Sequence, residues 1–100
     1  MIKHIVAWRL KDEALGRDKA ANRAVLLAML ENLPRLVPGI HHFEFGTDIG
    51  AAQGPWDVAL YSEFKSRADL DAYQDHPEHM KLKEFAAAVV DGRAVVDYEA

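Results

Sequence analysis

The first strand-like segment sets the main constraint on this chain. From Lys3 to Leu10 the side chains alternate, and Ile5, Val6 and Trp8 give it strong strand character. His4, Val6, Trp8 and Leu10 fall on one face, and Ile5 and Ala7 on the other. Both faces are therefore largely apolar. Asp57 to Phe64 repeats the pattern, with Val58, Leu60 and Phe64 on one side and Ala59 and Tyr61 on the other. A sheet built from such strands must be covered on both faces.

The rest of the chain supplies cover for one face. Lys11-Asp12-Glu13 ends the first strand. From about Arg17 to Arg35 the period changes, and Leu26, Met29, Leu30, Leu33 and Leu36 or Val37 form one helical stripe. Pro38-Gly39 stops that helix and turns the chain. Ile40 to Gly46 reads as a second strand, with Phe43 and Phe45 opposing His42 and Glu44. Asp48 to Pro55 is a loop, and Asp57 to Phe64 the third strand. Ser66 and Asp69 make a capping pattern for a short helix through Gln74. Pro77 opens another helical segment capped by His76, with Met80, Phe85, Ala86, Val89 and Val90 as its apolar face. Asp91-Gly92 is read as a turn before a last strand, Arg93 to Glu99.

The order βαββαβ predicts a ferredoxin-like α+β fold with a four-stranded antiparallel sheet. Its length suits a single domain over residues 1–100. The helices cover one sheet face only. A second copy, packed sheet to sheet, covers the other economically, which predicts a homodimeric barrel.

Composition excludes several classes. Half the residues are hydrophobic and the charge is −4, with acids and bases mixed. No basic run offers a surface for nucleic acid. No apolar run approaches the ~20 residues of a membrane span, and no leader-like segment opens the chain. There are no cysteines, which rules out disulfides, thiolate metal sites and a cysteine nucleophile and fits a cytoplasmic location.

The residues with chemical potential cluster around Pro77. In one continuous helix, Tyr73 and His79 would diverge by about 120°. A break at His76-Pro77 lets both turn into one cavity. His79 then lies in the first turn of the new segment, where the helix dipole favours the neutral imidazole that a general base requires. One reading is a His79/Tyr73 acid–base pair acting on an acidic C–H or an enol. The other is that Tyr73 packs in the core with its hydroxyl satisfied, while His76 and His79 cap the helix. His4, on the Val6/Trp8 face, either joins the same pocket and orients a substrate carbonyl or bonds a backbone carbonyl or Asp97 on a neighbouring strand.

Other features point to no site. His76 and His79 are spaced i, i+3, but neither an HExxH motif nor a carboxylate cluster accompanies them, and adjacent His41 and His42 point to opposite faces, so no metal is expected. Gly46 to Gly54 lacks the residues of a phosphate loop. Lys81, Lys83, Glu84, Asp69 and Asp71 are read as solvated helix charges.

Lys3-His4-Ile5-Val6, Phe64 before the capped helix, Tyr73, His76-Pro77-Glu78-His79 and Val96-Asp97-Tyr98 together resemble the stress-responsive α/β-barrel (Dabb) family, over nearly the whole chain. The resemblance implies a homodimer. The family includes plant proteins that accumulate under stress, some assembling into larger, stable particles. One branch cyclises linear polyketides by aldol chemistry without a cofactor. There a histidine matching His79 is the base, beside a tyrosine matching Tyr73, and a histidine matching His4 lines the pocket. This chain departs from that branch by carrying Val58 where a further pocket histidine stands, and by lacking a helix tyrosine near Leu30. The resemblance thus implies a small organic ligand between sheet and helices and no cofactor, with either a cyclase-like lyase or a non-catalytic stress-related dimeric module as the outcome. A haem- or quinone-handling monooxygenase follows from fold analogy alone.

Overall fold

A computed structural model describes residues 1–100. Four long strands, β1 (Ile2–Leu10), β4 (His42–Thr47), β5 (Val58–Phe64) and β6 (Val90–Glu99), form one antiparallel sheet in the order β4-β5-β1-β6. Helices α1 (Lys19–Leu36), α2 (Arg67–Asp75) and α3 (Pro77–Val89) join them. This is the ferredoxin-like α+β arrangement. The two central strands are those whose faces are both apolar, because central strands meet neighbours on every side.

Register sorts the sheet into two faces. Val6 lies opposite Leu60 and Val95, and Trp8 opposite Val58 and Arg93, all on the helix-facing side. Leu26, Leu30 and Leu33 of α1 and Leu82 and Val89 of α3 complete that core. On the outer face, Ile5 lies between Tyr61 and Val96, and Ala7 between Ala59 and Ala94. Val96 and Tyr98 are exposed there.

The helix breaks follow local chemistry. Asp18 caps α1 by accepting from the Ala21 N–H at 2.8 Å. Ser66 Oγ accepts from the Asp69 N–H at 3.1 Å, and His76 Nδ1 from the Glu78 N–H at 3.1 Å. Pro77 sits in the first turn of α3, where its missing N–H costs no hydrogen bond.

Three details differ from the sequence reading. The stretch before α1 holds a two-residue hairpin, β2 (Glu13–Ala14) and β3 (Arg17–Asp18). Leu15 and Gly16, both at positive φ, turn it, and buried Asn22 pins it by donating to the Ala14 carbonyl at 2.9 Å. Asp91-Gly92 is strand, not turn: α3 runs directly into β6. Arg9 Nε donates to Asp91 at 2.7 Å, and a Cβ on Gly92 would meet that guanidinium at 3.0 Å, so glycine makes room beside a bulge at Arg9/Leu10. Finally, the buried side of α3 carries His79, Leu82 and Val89, whereas Met80 is exposed.

Candidate functional site

The break at Pro77 does bring Tyr73 and His79 together. Tyr73 is fully buried near the end of α2, and its ring centroid lies 4.3 Å from that of His79 in the first turn of α3. His4 of β1 stands 6.1 Å from Tyr73, centroid to centroid. All three side chains line one cavity of about 450 Å³ between the sheet and α2 and α3. That volume suits a small organic molecule. Val6, Trp8, Leu60 and Leu82 make its walls apolar, and Ala86 and Ala87 leave room because a larger residue there would fill it.

The hydrogen bonds assign distinct chemical states. The Tyr73 hydroxyl is buried and has no partner. Burial raises its pKa, so it stays a protonated phenol with a donor to offer. The reading in which this hydroxyl is satisfied in the core is thus corrected. His79 Nδ1 is 3.2 Å from the Gln74 carbonyl oxygen. A carbonyl only accepts, so Nδ1 carries the hydrogen and Nε2 holds the free lone pair. Burial pushes the imidazole down to about 4; the bond to Gln74 opposes this, while the charges of Lys83, His4 and Arg93 reinforce it. His79 is therefore neutral at pH 7.

His4 is buried, and its Nδ1 bonds Asp97 directly across the β1–β6 pairing. Asp97 accepts that hydrogen and fixes the ring orientation, leaving Nε2 as the second ring nitrogen. Pairing with Asp97 and a place in the cavity, weighed as alternatives from sequence, both hold. His76, by contrast, is a helix cap.

Two cavity residues escaped sequence reasoning. The charge pattern predicts a solvated face for Lys83, yet it lines the cavity four residues after His79. Arg93, from sequence only the start of a strand, lies opposite Trp8 on β6 and lines the same space. For Lys83 the signal is the helical row His79, Lys83 and Ala86 on α3. Val58 lies in the core beside Trp8 and does not line this cavity. No group of three histidine, aspartate or glutamate side chains converges to hold a metal, and no helix is long and apolar enough to cross a membrane.

These features define a ferredoxin-like domain with a mostly apolar pocket, open to solvent at one side, bearing a phenol and two oriented imidazoles. The chain belongs to the stress-responsive A/B barrel domain (Dabb) family, whose sequence model matches residues 2–100. It is 22% identical over 102 residues to the stress-response A/B barrel domain-containing protein DABB1 of Arabidopsis thaliana, covering 98% of this chain and 46% of that relative, so it spans about half its length. A dimeric ferredoxin-like protein of unknown function from Thermobifida fusca is similar at 27% identity and TM-score 0.86, over 99% of this chain and 90% of that one. A hydroxynitrile lyase from Passiflora edulis is similar at 26% identity and TM-score 0.79, over 97% of this chain and 90% of that one.

Proposed function

We propose that the protein is a homodimer whose subunits each bind a small organic molecule and catalyse cofactor-independent proton transfer on it, as a lyase or cyclase does. The observation that carries this reading is the buried, unpartnered hydroxyl of Tyr73 in a cavity shared with the free Nε2 of His79. An orphaned buried hydroxyl costs about 1–3 kcal/mol, and a ligand oxygen at that point removes the penalty. In the step proposed, His79 Nε2 takes a proton from a carbon acid or hydroxyl. The electron pair moves onto the substrate oxygen, and the Tyr73 O–H stabilises the developing negative charge. His4, held by Asp97, positions the substrate carbonyl. A hydroxynitrile lyase on a similar fold supports lyase chemistry here. The dimer is supported by the apolar outer face around Ile5, Ala59 and Val96 and by the dimeric relatives.

The test is a thermal-shift screen with β-keto acids, resorcylic acids and aromatic polyketide mimics on the native protein and the His79→Ala and Tyr73→Phe variants. Stabilisation of the native protein that weakens in both variants is expected. If no compound stabilises the native protein, the reading fails and the non-catalytic dimeric module stands.

A further inference from the structure

Resting on the pocket reading above, we infer that the cavity selects organic anions, holding a carboxylate between Lys83 and Arg93 and an apolar body against Val6, Trp8 and Leu82. The two cations arrive from opposite walls, Lys83 from α3 and Arg93 from β6, and both line the cavity. Both are exposed, so they stand where it meets solvent, while Tyr73 and His4 lie buried deeper.

Charge balance makes this placement informative. Acids outnumber bases 16 to 12 in the chain, yet no Asp or Glu lines this cavity. Lys3, Arg9, Lys19 and Lys81 each have a carboxylate partner. Lys83 and Arg93 have none and make no side-chain hydrogen bond; Arg23, Lys65 and Arg67 are equally free, but only Lys83 and Arg93 line the cavity. Two like charges at the mouth of a cavity with apolar walls focus a positive potential into it. A carboxylate satisfies both, and the guanidinium can take it in a bidentate geometry. The second polar anchor is the unpartnered Tyr73 hydroxyl, which is fully buried and awaits an acceptor oxygen. The ligand thus carries a carboxylate at one end and an oxygen acceptor at the other, with apolar atoms between. A bound anion also offsets the Lys83 and Arg93 charges felt by His79, which add to the larger effect of its burial.

Matched probes test this. Binding of 2,4-dihydroxybenzoate and 3-(4-hydroxyphenyl)propanoate, each against its methyl ester, is measured by calorimetry at low and high salt. The expected result is acids binding about tenfold tighter than esters at low salt, with the gap narrowing as salt rises. Lys83→Met with Arg93→Met should remove the gap, whereas Lys65→Met with Arg67→Met, which changes net charge equally away from the cavity, should leave it intact. Esters binding as tightly as acids overturn the anion inference while the pocket stands. An equal loss in both double variants also overturns it, since the effect is then net charge. If neither acid nor ester binds, the inference falls together with the pocket reading.

Discussion

Tyr73 shows how a side chain can be placed at a cost to stability. Its ring packs against Phe64 at 5.1 Å and His79 at 4.3 Å, centroid to centroid, but its hydroxyl bonds nothing. Tyr73→Phe should therefore raise unfolding free energy by about 1 kcal/mol in chemical denaturation while lowering affinity for any pocket ligand. An unchanged or lowered stability would mean that the hydroxyl is satisfied in solution. His79 gives a pH signature. Its folded pKa, about 4, lies below the ordinary 6.5, so the unfolded chain binds more protons between those values. Stability is then full above about pH 6.5 and falls on the order of 2 kcal/mol toward pH 4. Denaturant titrations across that range should show the loss, and His79→Gln should flatten that part of the profile. The identities of His4, Tyr73 and His79 as pocket residues were legible from the strand face and the proline break. The missing hydroxyl partner was not, because it depends on what fails to reach Tyr73 from other elements. Lys83 was missed because a lysine on a helix is normally solvated, and only the small Ala86 and Ala87 beside it open the space it lines.

At the scale of elements, capping decides where α2 ends and α3 begins. His76 accepts from the Glu78 N–H, and Pro77 bars continuation of α2. His76→Ala should cost about 1 kcal/mol, seen as a lower denaturation midpoint and faster hydrogen exchange at the Glu78 amide. Protection unchanged in that variant would assign the break to Pro77 alone. The order of the main elements was readable because proline, glycine and period changes mark it. The β2–β3 hairpin was not, since two-residue strands carry no periodicity and depend on Asn22 reaching back from α1. The absence of a turn at Asp91-Gly92 was likewise hidden. That dipeptide has turn chemistry, but pairing with Arg9 across the sheet outweighs local preference.

At the scale of the whole molecule, the sheet separates two tasks. Its inner face builds the pocket, and its apolar outer face is the proposed seat of a second copy. Val96 is 57% exposed beside Ile5. Val96→Glu places a charge in the proposed interface, where desolvation costs several kcal/mol, and should yield monomers in sedimentation equilibrium where the native protein sediments as a dimer. A native monomer would remove the dimer proposal. The need for cover was legible from the two-sided strands, whereas the cavity required the actual separation of α3 from the sheet. The strand β6 joins both tasks within ten residues. Arg93 and Asp97 face inward, Ala94, Val96 and Tyr98 outward, and α3 feeds it without a loop. A single-residue insertion after α3 would send Arg93 and Asp97 outward and drive the outer residues into the pocket. Such a change has no flexible joint in which to be absorbed. The sequence of β6 can therefore drift by substitution but not by gain or loss of length, and the long β4–β5 loop is the natural place for length variation.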